Sequence, residues 1–379
     1  MNGIKTPEHK ENNMTKELSR TSALASRHTA LGSGLEDWNG MGTAWTYNSN
    51  PNDEHDAIRN TAGMFDMSPL KKVFVRGPDA ADALNHLVTR EISNIGPGQS
   101  AYTSVLTEQG TMADDAIVSN NGNNEWMIVH GSGDTMALLE ASAAGKDVNL
   151  EFTDDLHNIS VQGPKSVDIL NDHCDIELTN LKYFDHATAS LFGHDCRVSR
   201  TGYSGERGYE IFADASVAGS IWDELVTACV MPCSFTALDK VRIEAGLLFY
   251  GYDMTTENTP WEVGLGFTVS KSKTGYRGYD ALMAAKGSEK IINVCLDIEH
   301  TDIINGGESL SLDGQQVGIV NSPGYSHRMK KSLALAHVTP AAAAAGTTLQ
   351  VSSDNINTCL LYTSPSPRDA TLSRMPSSA

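Results

Sequence analysis

Six cysteines, Cys174, Cys196, Cys229, Cys233, Cys295 and Cys359, are too few and too scattered over 379 residues to form a disulfide framework. They read as reduced thiols. Cys229 and Cys233 stand four apart, but no second Cys or His pair is near enough to complete a zinc site, so no metal is expected. No run approaches the roughly 20 apolar residues of a membrane span. The polar opening MNGIKTPEHKENNMTKELSR lacks the apolar core of a secretory signal. Basic residues are scarce too: 28 Lys and Arg face 47 Asp and Glu, a net charge of −19. Such a balance repels phosphate backbones and anionic lipid, which argues against nucleic acid or membrane as the main partner. The expectation is a soluble cytoplasmic protein, or one of the mitochondrial matrix if the source is eukaryotic. No Ser-His-Asp, Cys-His or metal-spaced carboxylate pattern and no dinucleotide fingerprint emerges.

What is present is an ordinary globular composition, 40% hydrophobic and 20% charged, at a length that suits two or three compact units. Residues 1–17 are polar and read as a loose extension. KVFVRG from Val73 alternates like a strand, and Pro78-Asp79 opens a helix with Ala83, Leu84 and Leu87 at helical spacing. Strand-like runs follow over 101–106, 115–119 and 125–130. The same order returns with a strand over 158–161, a Gly163-Pro164 turn, a helix over 166–170, and strands over 195–199 and 209–212, which predicts two related α+β halves. After a helix over 234–248, short strands over 291–298, 315–321 and 333–338 between Gly-rich turns predict a small β-barrel. LLYTSPSPRDATLSRMPSSA over 360–379 has no apolar period and resembles a translated sequencing adapter; a disordered native tail is the alternative. The expected domains are 18–150, 151–285 and an incomplete barrel over 286–352, followed by a non-native tail over 353–379.

Three clusters carry candidate chemistry. In AYTSVLTEQGTMADDAIV over 101–118, adjacent Asp114 and Asp115 enter an apolar strand, where alternation sends one outward and the other toward the fold. A partly desolvated carboxylate there suits ligand binding or proton transfer; taken alone, an Asp capping a turn is the better reading. In RTGYSGERGYEIF over 200–212, three glycines permit close backbone approach, Tyr203 offers a flat face and Glu210 offers two acceptor oxygens. That set suits a flat heterocycle with donor nitrogens, against a plain tight turn. In LDKVRIEAGLLFYG over 238–251, Arg242 and Glu244 interrupt an apolar run, and an ion-pair role is favoured over ligand contact. His55 reads as a hydrogen-bonded structural histidine before it reads as a base.

Taken together with DEHDAIR over 53–59, AGMFDMS over 62–68 and VQGP over 161–164, these clusters resemble the folate-dependent aminomethyltransferase family, the T-protein of the glycine cleavage system and its methyl-transferring relatives. The resemblance spans residues 18–351. It implies a three-domain cloverleaf of class α+β, two related α+β domains plus a C-terminal β-barrel, with tetrahydrofolate in the central hole. By residue matching, Asp115 lies near the reacting folate nitrogens as the catalytic residue, Tyr102 and Tyr203 flank the folate, Glu210 accepts from the pterin, and Arg242 and Phe267 complete the cofactor-binding set. The implied reaction moves an aminomethyl group from the lipoyl arm of a carrier (H) protein to tetrahydrofolate, giving 5,10-methylenetetrahydrofolate and ammonia.

Three departures bear on the donor. Leu238 stands where the family usually has Arg, His130 where an Asn is expected after the strand over 125–129, and Phe267 replaces a Trp while keeping an aromatic wall. ENTPWEVGLG over 257–266 is closer to relatives that demethylate small donors such as dimethylsulfoniopropionate. A tetrahydrofolate-dependent demethylase of a small-molecule donor is therefore one alternative, and a non-catalytic folate-binding protein a second. The Lys-Gly-Cys-x-x-Gly-Gln-Glu segment of the folate-binding relatives in iron–sulfur assembly is absent.

Overall fold

A computed structural model describes residues 18–298, 303–352 and 357–364. The expected loose segment over 1–17 and the end of the expected foreign tail, 365–379, lie outside the described residues.

The repeat legible in the sequence is a true duplication. The first unit runs strand Lys71–Arg76, helix Ala80–Leu87, strands Gln99–Leu106, Met112–Gly122 and Glu125–His130, helix Thr135–Ala143, strand Asn149–Thr153. In the second the order is strand Leu156–Gln162, helix Ser166–Asn171, strands His186–Leu191, His194–Ser199 and Gly208–Asp214, helix Ala215–Thr227, strand Met231–Pro232. The strand-to-helix turns match in detail: Gly77 and Gly163 have φ of 134° and 136°. A Cβ at either would sit 2.5 Å from a carbonyl oxygen, of Asp147 and Thr61 respectively, so both turns require glycine.

One strand breaks the expected domain division. Gly63–Asp66, which the sequence reading put in the first domain, pairs with Leu156–Gln162 and Met231–Pro232 inside the second sheet. All four of its residues are buried, as a strand covered on both faces must be. The boundary after residue 150 also moves, because Asn149–Thr153 completes the first sheet beside Lys71–Arg76.

Alternation fixes what each sheet faces. In the first, Val73, Val75, Ala116, Val118 and Ile128 join a core under the helices, while Met127 and Val129 face away from it and meet Phe212 of the second sheet. In the second sheet Ile159, Val161, Val198 and Ile211 fill the helix-side core, leaving Asn158, Arg197, Ser199, Glu210 and Phe212 on the opposite face. The two sheets therefore oppose each other through their non-core faces. Arg197 crosses the gap: it lies 4.6 Å over the Phe212 ring and donates to Asn121 Oδ1 of the first domain at 3.2 Å.

The third unit is a closed antiparallel barrel in the order Ile292–Ile298, Lys331–Val338, Gln315–Ser326, Ser309–Leu312, Thr348–Ser352, Asn357–Ser364. Here the expectation of an incomplete barrel ending at 352 is corrected. The strand Asn357–Ser364 pairs with both Thr348–Ser352 and Ile292–Ile298 and closes the ring. Its Thr, Leu and Tyr content supplies the strand propensity that the Ser/Pro-rich text after it lacks.

Helix Phe235–Glu244 locks this barrel to the second domain. Arg242, 3% exposed, donates to Asp239, to Asp253 at 2.6 Å, to the Leu247 carbonyl and to Ser322 of the barrel at 2.9 Å. Removing its charge leaves Asp253 buried and unpaired, a defect that costs about 3–5 kcal/mol. Arg242→Met should lower stability by that order in denaturant unfolding, and an unchanged midpoint would show the pair to be dispensable.

Candidate active site

Asp115 sits on Met112–Gly122 opposite Ser104, so Tyr102 is its diagonal neighbour across the ladder. The Tyr102 hydroxyl donates to Asp115 Oδ2 at 2.8 Å. Phe267 stacks beside Tyr102 with ring centroids 6.3 Å apart and planes 24° apart, and the Arg90 guanidinium lies 5.8 Å from the Phe267 centroid. Tyr203 donates to the Leu248 carbonyl. Its hydroxyl is close enough to Asp115 for that charge to act on it. Tyr102 is thus in contact with both Asp115 and Phe267, and Tyr203 lies within electrostatic reach of Asp115.

Adjacent Asp114 takes the other face. It is fully buried and accepts from Thr135 Oγ1 at 2.8 Å, from His130 Nδ1 at 3.0 Å and from the Asp115 backbone N–H at 3.0 Å. Its carboxylate therefore fixes the backbone that presents Asp115. Burial, then the Asp114 charge, raises the Asp115 carboxyl to about 7, although the Tyr102 hydroxyl pulls it down. Burial also pushes the Tyr102 and Tyr203 hydroxyls well above the ordinary phenol range, so both stay protonated donors at neutral pH.

Across the gap, Glu210 is 8% exposed and accepts from Asn158 Nδ2 at 2.9 Å and from Thr201 Oγ1. Each carboxylate oxygen takes one of these bonds, which leaves acceptor capacity on both. Two further buried atoms on the same sheet face have no hydrogen-bond partner, Arg197 Nε and Asn158 Oδ1. Buried polar groups are rarely left so. Glu210, Asn158 Oδ1 and Arg197 Nε thus offer acceptors and a donor of the types that complement the ring N–H, amino group and carbonyl of a 2-amino-4-oxo pterin. Sequence reading missed Asn158 and Arg197. The signal was there: Arg197 interrupts the Cys196/Val198 alternation on the non-core face.

Arg242 is engaged in ion pairs and a bond to the barrel, the role its residue-level reading favours, and lies within electrostatic reach of Tyr203. Leu238, in place of the usual Arg, is buried in the apolar cluster of Phe65, Phe235 and Val241, against which Tyr203 packs. Arg90, whose guanidinium lies over Phe267, lines a cavity of about 320 Å³ together with Ser100, Tyr183 and Ser270.

Comparison with known proteins gives the family and the fold. Residues 24–273 match the GCVT N-terminal domain and residues 292–359 the glycine cleavage T-protein C-terminal barrel domain. The chain belongs to the glycine cleavage T-protein family. It is 46% identical over 347 residues to the heme-dependent oxidative N-demethylase gamma subunit of Ectopseudomonas mendocina, covering 88% of this chain and 92% of that one. To an aminomethyltransferase of Streptomyces coelicolor it is 34% identical, covering 87% and 92%. Its fold matches the glycine cleavage system aminomethyltransferase T of Bartonella henselae with a TM-score of 0.85 at 26% identity, over 91% of this chain and 97% of that one. The family binds tetrahydrofolate, and this member's opposed faces carry side chains suited to it.

The Tyr102–Asp115 bond sets a pH dependence. Tyr102 donates to the charged form of Asp115, so Tyr102→Phe raises the Asp115 pKa further. If the carboxylate is the working form, the acid limb of the activity profile moves to higher pH by roughly one unit, the equivalent of one charge-assisted hydrogen bond. A limb that stayed in place or moved down would exclude Asp115 as the titrating group.

Proposed function

We propose that the chain is a tetrahydrofolate-dependent one-carbon transferase that accepts a carbon at the formaldehyde level from a nitrogen-bearing donor and yields 5,10-methylenetetrahydrofolate. The observation that carries this is the Asp115 carboxylate, held by Tyr102 beside an aromatic wall, on a sheet whose non-core face is turned toward the one that carries Glu210 and the unpartnered Asn158 Oδ1 and Arg197 Nε. Bound tetrahydrofolate would supply the nucleophilic nitrogen. Glu210, Asn158 and Arg197 would hold the pterin edge, Tyr102 and Tyr203 would border the ring, and Arg90 suits the anionic tail. In its ionised form Asp115 would stabilise positive charge as the donor carbon becomes iminium-like. A fixed, partly desolvated carboxylate performs that task better than water because its reorganisation is already complete.

On the donor, the 46% identity to an N-demethylase gamma subunit favours an N-methyl amine oxidised by a partner subunit. The second reading, favoured by the aminomethyltransferase relatives, is the lipoyl-bound aminomethyl group of a carrier protein, with loss of ammonia. An intracellular compartment suits both and agrees with the free thiols of the five described cysteines.

Incubating the chain with tetrahydrofolate and each donor, and identifying the folate product by mass spectrometry, tests the proposal. Methylenetetrahydrofolate from an N-methyl amine with its oxidising partner supports the first donor; the same product with ammonia from the loaded carrier supports the second. 5-Methyltetrahydrofolate from a sulfonium donor would contradict both. Asp115→Asn should reduce product formation by on the order of 10²-fold while retaining folate binding, and full activity in that variant would remove Asp115 from the chemistry.

A further inference from the structure

A second cluster lies on the far side of helix Phe235–Glu244, where helix Pro51–Asn60 meets the barrel. His55 is fully buried. Its Nε2 lies 2.9 Å from Glu244 Oε1, and the same carboxylate is ion-paired to Arg59 at 2.7 Å and accepts from Ser326 Oγ at 2.6 Å. An ionised carboxylate only accepts, so His55 Nε2 donates to Glu244, and in the neutral imidazole this leaves Nδ1 as the lone-pair nitrogen. That Nδ1 has no hydrogen-bond partner. It lies 3.6 Å from Asp56 Oδ1, which is 2.8 Å from His327 Nε2. The two imidazoles meet edge to face with centroids 4.5 Å apart.

We propose that His55, Asp56 and His327 bind one divalent transition-metal ion of the zinc type, which clamps helix Pro51–Asn60 to the barrel. The ligand atoms all lie within 4.8 Å of one another. A tetrahedral ion with bonds of about 2.1 Å separates its ligands by about 3.4 Å. The His55–Asp56 spacing is already near this value, and the shorter Asp56–His327 contact reaches it by rotating two partly exposed side chains. Two imidazoles and one carboxylate suit Zn²⁺, Co²⁺ or Fe²⁺ and are poor ligands for Mg²⁺ or Ca²⁺. Glu244 orients His55 in the manner of the carboxylates behind metal-bound histidines. Solvent takes the fourth position on the Asp56 side. The sequence showed no metal spacing because Asp56 and His327 are 271 positions apart.

The test uses the full, tag-free chain stripped with a chelator. Cobalt titration followed by visible absorption, and zinc titration by competition with a chromogenic chelator, should each give one ion per chain, with the intense absorption of four-coordinate Co²⁺. His327→Ala and Asp56→Asn, both at partly exposed positions that spare the buried His55–Glu244 pair, should each weaken zinc at least about tenfold and abolish the cobalt band. Mg²⁺ should not compete. Absence of stoichiometric binding at roughly 100 μM zinc, or binding unchanged in both variants, would overturn the proposal.

Discussion

A polar sheet face that is shut away from water must find hydrogen-bond partners, and in this chain two such faces are turned toward each other. The duplicated α+β units each bury an apolar face under their own helices, so the remaining faces can only be exposed or meet. They meet at Met127, Val129 and Phe212. On these same non-core faces lie Asp115 and Tyr102 of the first sheet and Glu210, Asn158 and Arg197 of the second, with Arg197 Nε and Asn158 Oδ1 still without partners. The site is thus a consequence of pairing two like sheets, and the residues that would stabilise a solid interface are replaced there by groups that a ligand can satisfy.

Maintaining a gap of this kind requires rigid walls. Asp114 spends its carboxylate on Thr135, His130 and the Asp115 backbone, which frees Asp115 to point the other way. Gly63–Asp66 ties the N-terminal segment into the second sheet. Arg59 then reaches from helix Pro51–Asn60 to the Ser204 carbonyl, Glu206 and Glu244, which fixes the loop that carries Tyr203. Glu244 and Arg242 extend the same bracing into the barrel through Ser326 and Ser322. Buried charges of this sort are held in place by one another, and losing one strands the rest.

Periodicity made the local units legible. The strand over 71–76, the helix after Asp79, the three strands that follow and their echo after residue 156 were all readable, because apolar alternation there reports a helix-covered sheet face. Gly63–Asp66 was not, since a fully buried four-residue strand has no alternation and its partners lie far along the chain. Asp115, Tyr102, Tyr203 and Glu210 stand out in the sequence through local composition and resemblance. Asn158 and Arg197 were missed because their meaning depends on which sheet they face. For Arg242 the resemblance implies a ligand contact, while the residue-level reading of a paired charge is the one its ion pairs with Asp239 and Asp253 match.

The central claim is that Glu210, with the unpartnered Asn158 Oδ1 and Arg197 Nε, receives a pterin beside Asp115. A crystal structure of the chain with tetrahydrofolate at neutral pH tests it most directly. The account predicts the pterin's donor edge on Glu210, Arg197 Nε and Asn158 Oδ1 newly partnered, and the reduced ring nitrogens on the Asp115 side. Folate bound elsewhere, or bound in the gap with Arg197 Nε and Asn158 Oδ1 still unpaired, would contradict it.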